Sequence, residues 1–181
     1  DVGIAAQIAK IGRSDRLPMP SLDDARKAGL VIDLDESLHD RYLAEVVKLR
    51  VRPDLDISGI SVAYTPLHGV GAASVEPAMT RAGFDAIHTE PSQREPHPDF
   101  PTVAFPNPEE KGAMDRVLAL AAKVKADVVL ANDPDADRLC VAVPEVDAAS
   151  ATLGYRPLTG DQLGVLLADY LLEAGPRDRR M

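Results

Sequence analysis

The 181 residues are 45% apolar and 27% charged, a globular composition with room for one ordinary domain or one domain and pieces of its neighbours. Twenty Lys and Arg against 29 Asp and Glu leave a net charge of −9, which argues against a protein that wraps nucleic acid or lies on an anionic membrane, but not against binding small phosphorylated ligands. The single cysteine, Cys140, excludes an internal disulfide framework and fits a cytoplasmic setting. No apolar run approaches the ~20 residues of a membrane helix, and no basic head precedes an apolar stretch as in a signal peptide.

The chain starts at Asp1, and its last helical pattern runs almost to the terminus; we expect a piece of a longer protein. Ile4, Ile8 and Ile11 predict a short helix. Leu17-Pro18-Met19-Pro20 then forbids regular structure, because each proline fixes its own φ and pushes its predecessor out of the helical region. Leu38, Tyr42, Val46 and Leu49 recur at helical spacing and predict a helix that ends before Pro53. Residues 57–64 read as a strand, followed by the glycine-bearing turn Thr65-Pro66-Leu67-His68-Gly69-Val70-Gly71, a helix over 72–82 stopped by Gly83, and a short strand over 85–89.

Residues 90–108 form a long proline-rich loop, of the kind that is functional or disordered in a compact domain. Asn107-Pro108-Glu109-Glu110 carries the signature of a helix start, with Asn as cap and Pro in the first turn. Met114, Val117, Leu118 and Ala121 would form the buried face of that helix. Val128 to Ala131 is a wholly apolar run, expected as a strand buried on both faces. A second strand over 139–143 follows a tight turn, so the two should be antiparallel. Residues 144–155 read as a loop, and Thr159-Gly160-Asp161-Gln162 opens a last helix with Leu163, Leu166, Leu167, Tyr170 and Leu171 on one side. The order αβαβαββα predicts an α/β fold: a layered, mixed but mainly parallel sheet with helices on both faces.

The chemistry concentrates in Asn132-Asp133-Pro134-Asp135-Ala136-Asp137-Arg138. Three carboxylates at i, i+2 and i+4 repel one another unless something positive sits among them. A hard divalent cation such as Mg²⁺, which takes oxygen ligands at about 2.0–2.1 Å, relieves that repulsion. The loop also follows an apolar strand, where ligand sites of α/β sheets lie. Asp133, Asp135 and Asp137 are therefore candidate metal ligands, against the bland alternative of a solvated acidic turn. A calcium loop of the EF-hand type is excluded, because Arg138 stands where its glycine belongs and Pro144 where its last glutamate belongs. Arg138 reads either as a salt bridge to the aspartates or as a guanidinium held for phosphate oxygens. The turn at His68 offers backbone N–H groups to a phosphate at a helix start, or is merely a tight turn with His68 on the surface. It fits neither a dinucleotide fingerprint nor a P-loop.

NDPDADR at 132–138 resembles the metal-binding loop of the alpha-D-phosphohexomutases, the phosphoglucomutase/phosphomannomutase family. YTPLHGVG at 64–71, FPTVAFPNPEEKGAMD at 100–115 and TGDQLG at 159–164 resemble the same family in the same order. The resemblance implies four domains around one cleft in the whole enzyme. Residues 35–148 would be its second, metal-binding α/β domain, residues 1–34 the tail of the preceding catalytic domain with a linker, and residues 149–181 the start of the third. It further implies phosphoryl transfer between the 1 and 6 positions of a hexose phosphate, through an enzyme phosphoserine and a sugar bisphosphate. Mg²⁺ would sit on Asp133, Asp135 and Asp137, with Arg138, and less directly His68, near the phosphate. The partners implied are that sugar phosphate, the bisphosphate and the missing domains of the same chain, with no nucleic acid and no membrane.

The family's phosphoserine segment, Ser followed by His-Asn-Pro, has no counterpart, since none of the eight serines precedes a histidine. This segment alone would then lack a catalytic phosphoryl donor and be inactive. Pro134 stands where many family members have glycine, which resembles the branch holding phosphoglucomutases and phosphopentomutases. A pentose phosphate substrate, or a non-catalytic domain that keeps the fold, are the alternatives. A free-standing Mg²⁺-dependent phosphatase would share the spacing of Asp133 and Asp135, but Asp137 makes the loop a three-carboxylate cradle instead.

Overall fold

The computed structural model describes residues 2–146 and 152–175, in two compact units, residues 1–39 and 40–181. In the first unit, the isoleucine pattern forms helix α1 (Val2–Ile11) as expected, and the Leu17–Pro20 stretch carries no regular structure. Helix α2 (Leu22–Lys27) is capped by the Ser21 hydroxyl, which accepts the Asp24 N–H at 3.1 Å.

Helix α3 (Glu36–Lys48) ends before Pro53 as expected, but its buried residue in the second unit is Leu43, not the stripe of Tyr42 and Leu49, which stay exposed. Strand β1 (Ser61–Thr65) begins four residues later than the alternation suggested. It leads into helix α4 (Ala72–Ala82), which stops at Gly83 with φ 107°, a left-handed geometry that glycine takes without a Cβ penalty. Strand β2 (Ala86–Thr89) follows.

The helix predicted from Asn107 does not start there. The Asn107 side chain accepts the Glu109 N–H at 3.0 Å, closing a local turn in place of a helix cap. Gly112 then takes φ 86°, and helix α5 spans Asp115–Val124. Its buried face is nevertheless the expected one, with Met114, Val117 and Ala121 in the core and Leu118 packed against it.

Strands β3 (Val128–Asn132) and β4 (Leu139–Val146) pair antiparallel, as the tight turn required. The stretch expected as a loop from Pro144 instead prolongs β4 and supplies a further strand, β5 (Thr152–Pro157); residues 147–151 of that expected loop lie outside the described residues. Pro144 is tolerated because it falls beyond the part of β4 that pairs with β3. The Tyr155 hydroxyl donates to the Ala121 and Ala126 carbonyls at the C-terminal end of α5, at 3.0 and 2.7 Å. Helix α6 (Gly160–Ala174) starts at Thr159 with a reciprocal cap from Gln162; Leu163 is half-buried, while Leu166, Leu167, Leu171 and Leu172 face solvent.

The sheet order is β2-β1-β3-β4-β5, with β2, β1 and β3 parallel and β4 and β5 joined by antiparallel pairings. Four of the five strands thus run one way, which makes the sheet mixed but mainly parallel. The chain moves one way from β1 to β2 and the other way from β2 to β3. Right-handed crossovers therefore place α4 and α5 on opposite faces. The α5 face buries Ala63, Val129, Ala131, Cys140 and Ala142, which share one side of the pleat. Val62, Tyr64 and Leu130 point to the other. The consequence for the site is positional: the ends of β1 and β3 lie side by side, with Thr65 paired to Ala131, so the loops at 66–71 and 133–138 emerge together.

Candidate metal centre

Strand β3 delivers Asp133 at its end and β4 takes the chain back from Leu139, so a six-residue loop spans the gap between paired Asn132 and Leu139. The turn inside it is made by the Ala136 N–H, which donates to the Asp133 carbonyl at 3.0 Å, and by Ala136 itself at φ 61°. This fold-back brings one carboxylate oxygen of each of Asp133, Asp135 and Asp137 within 4.8 Å of one another. Asp133 is buried, 4% exposed, while Asp135 and Asp137 face solvent. The three residues singled out in the sequence are thus brought together.

Their electrostatics are those of a site awaiting positive charge. Hydrogen bonding to Asp133, together with the Asp135 and Asp133 charges, pushes the Asp137 carboxyl up from its ordinary value, and the Arg138 charge offsets this only in part. Arg138 sits beside the cluster: its Nε lies 3.3 Å from Asp133 Oδ2 and 3.6 Å from Asp137 Oδ1. The Arg138 side chain is 58% exposed, so it neutralises part of the charge and still reaches solvent. Three hard oxygen donors of one sign, converging and open on one side, fit a divalent cation.

The loop after β1 backs this cluster. The Val70 N–H donates to the Pro134 carbonyl at 2.9 Å, and a Cβ on Gly69 would lie 2.2 Å from the Pro134 Cα and O. Gly69 is thus needed for the two loops to touch. His68 is not a surface residue, which corrects the bland reading of this turn: it is buried, with φ 62°. Its Nε2 lies 2.8 Å from the Thr102 Oγ1, and that hydroxyl oxygen accepts from Gln93 Nε2 at 2.9 Å. Thr65 donates to the Gln93 Oε1 at 2.7 Å, and the His68 N–H donates to the Gln93 carbonyl at 2.8 Å. Burial, then the nearby His97 ring, holds the His68 imidazole below its usual value and hence neutral. The part played by Gln93 and Thr102 carries no signal in the sequence. The Gly69 contact had one, a glycine beside His68 in a strand-to-helix turn.

A family model described as phosphoglucomutase/phosphomannomutase, alpha/beta/alpha domain II, matches residues 40–146. The chain belongs to the phosphoglucomutase/phosphomannomutase family. It is 36% identical to a probable phosphomannomutase of Haemophilus influenzae over 94% of the chain and 32% of that protein. It is 39% identical to a phosphoribomutase of Saccharomyces cerevisiae over 82% of the chain and 25% of that protein. Over 62% of the chain and 18% of the relative, it is 45% identical to the human phosphopentomutase. The chain therefore spans about a third or less of the length of these relatives. A crystal structure of a phosphoglucomutase/phosphomannomutase family protein from Burkholderia thailandensis shares the fold, with TM-score 0.59 at 18% identity over 77% of this chain and 27% of that one. The resemblance read from the four sequence segments is borne out at the level of the family. Among the described residues, no helix is long and apolar enough to cross a membrane.

Proposed function

We propose that this chain supplies the metal-binding domain of an enzyme that moves a phosphoryl group between the 1 and 6 positions of a hexose phosphate, through an enzyme phosphoserine and a sugar bisphosphate. The observation that carries the reading is the convergence of Asp133, Asp135 and Asp137 at the end of β3, in a chain whose relatives are named phosphomutases. In this reading residues 35–148 form the metal domain, residues 1–34 the tail of the preceding one, and residues 149–181 the opening of the next. The serine that carries the phosphoryl group belongs to another part of the protein, since none of the eight serines here precedes a histidine. The reaction runs in the cytoplasm.

Asp133, Asp135 and Asp137 would hold Mg²⁺, which when bound neutralises charge on a phosphoryl group in transit. Asp133 sits too deep to swing away and fixes the position of the site. Asp135 and Asp137 close on it from the solvent side. Arg138 can turn its exposed fork from Asp133 to a phosphate oxygen without leaving the loop. His68 enters second: its Nε2 is engaged with Thr102, so a phosphate meets it only when that bond opens, and its first effect is on the shape of the turn.

A pentose phosphate is the second reading. It is favoured by the 45% identity to the human phosphopentomutase, the highest of the three relatives compared, and by Pro134 in the loop. Assay of the protein that carries both this chain and the phosphoserine segment, on glucose, mannose and ribose 1-phosphates, separates the two by kcat/KM. Mg²⁺-dependent conversion, reduced by orders of magnitude in Asp133→Asn, is expected. Full turnover in the presence of a chelator, or turnover by the 181-residue chain alone, would refute the proposal.

A further inference from the structure

Beneath the acidic loop lies a buried polar chain that the metal reading does not use. Asn132, the last residue of β3, is buried and donates its side-chain Nδ2 to the Arg138 carbonyl at 2.6 Å. That acceptor fixes which way the amide points. Its Oδ1 therefore faces the Tyr64 hydroxyl, 3.1 Å away, and the phenol must be the donor. Tyr64 has no exposed surface, and burial, with the Glu76 charge, raises its pKa well above the ordinary phenol value, so the proton stays in place. The series does not stop at Arg138. Its own N–H donates to Asp133 Oδ1 at 3.1 Å. Three successive hydrogen bonds thus run from a core phenol, through Asn132 and the backbone of Arg138, to the first carboxylate of the cluster. Room for the phenol is provided by Gly71, where a Cβ would lie 2.6 Å from the Tyr64 oxygen.

We propose that Tyr64 and Asn132 are positioning residues for the cation: they pin the closing end of the loop, and through the Arg138 N–H they fix the rotamer of Asp133. The inference rests on the metal reading above and extends it to two residues that touch no ligand. Partners one layer behind metal ligands orient them, and losing one typically weakens metal affinity about 10–100-fold. Tyr64→Phe leaves Asn132 Oδ1 without its donor and lets the amide rotate. Asn132→Leu removes the clasp on Arg138 altogether. Because both act through one series of bonds, their effects should not add.

The test uses Mn²⁺ binding to the 181-residue chain, followed by electron paramagnetic resonance, with melting temperature measured in parallel. Tyr64→Phe and Asn132→Leu should each weaken Mn²⁺ binding by about tenfold or more, and the double variant by little more than the weaker single one. Val129→Ala, a cavity in the same strand away from the loop, should lower the melting temperature and leave Mn²⁺ affinity unchanged. Wild-type affinity in Tyr64→Phe, with affinity lost in Asp133→Asn, would overturn the positioning role and leave the metal reading standing. An equal loss in Val129→Ala would overturn it too, by reducing it to general stability. If the wild-type chain binds no Mn²⁺, both readings fall. Tyr64→Phe keeps the ring in the core, so it decides the matter even if Asn132→Leu fails to fold.

Discussion

The turn over residues 66–71 and the acidic loop over residues 133–138 meet where Gly69 packs on Pro134, and they are built on opposite principles. The turn is closed around His68, which is buried, its ring neutral and its backbone tied to Gln93 and His97, and only Val70 reaches well into solvent. The acidic loop is open and frustrated, with three carboxylates of one sign; both segments hold non-glycine residues at positive φ, Leu67 and His68 in the turn and Ala136 in the loop. The acidic loop can stay frustrated because it is tied to a closely packed neighbour. A like-charged cluster on a mobile loop would spread apart; here β3, the Val70–Pro134 bond and the Asn132 clasp hold it together.

Breaking the contact between the two loops should have the largest effect. Gly69→Ala places a Cβ 2.2 Å from the Pro134 backbone, and no flexible side chain can yield there. The Val70–Pro134 hydrogen bond has to break or the acidic loop has to shift. We expect a loss of about 3 kcal/mol, at the upper end for overpacking, and a melting temperature lower by about 6–12 °C. Mn²⁺ affinity should fall with it, because the loop that moves is the one carrying the ligands. Unchanged melting and binding would mean that the two loops are not coupled.

The charge on the open side gives the second prediction, and its sign depends on pH. In the folded chain the Asp137 carboxyl is raised above its ordinary 3.8 by Asp133 and Asp135. The folded state therefore holds the proton more tightly than the unfolded one. This contribution favours folding below 3.8 and is lost as pH rises through the raised value. Asp137→Asn should melt higher than wild type at neutral pH without divalent cations, and the advantage should vanish in acid. Adding Mg²⁺ should reverse the order, because ligand binding stabilises the intact site in proportion to ln(1 + [L]/Kd). A variant that melts below wild type in a chelator would show that the carboxylates do not repel in the apo state.

How far this contrast was legible in the sequence follows from the range of the interactions. The acidic loop and the strand before it announce themselves locally, by alternating aspartates after an apolar run. Helix α4 and the face of α5 follow from spacing and a terminal glycine. The start of α5 misleads because Asn107 caps a turn two residues away as readily as a helix. Strand β5 escapes because Gly154-Tyr155-Arg156-Pro157 has no alternation of its own and takes its register from β4. The supports of the site join distant residues: Tyr64 to Asn132 across 68 positions and His68 to Thr102 across 34. No periodicity reports pairings of that separation, so the ligands could be read from the sequence and the frame behind them could not.

The smallest effect is expected at the apex of the acidic loop, and it sharpens the contrast by running opposite to Gly69→Ala. Ala136 holds φ 61°, a left-handed geometry that costs an L-residue roughly 1–2 kcal/mol. Ala136→Gly removes that cost but gains about 0.5–1 kcal/mol of chain entropy to lose on folding. The balance is a stabilisation of about 0.5 kcal/mol, or about 1–2 °C in melting temperature. Cation affinity should stay within about twofold of wild type, because a change of 1.4 kcal/mol is needed for a factor of ten and no ligand moves. One glycine is thus required where two backbones touch, and another would be welcome where the chain bends alone. Should Ala136→Gly instead weaken Mn²⁺ binding tenfold, the strained alanine would itself be part of what holds the carboxylates together, and rigidity would have to be assigned to the acidic loop as well as to the turn behind it.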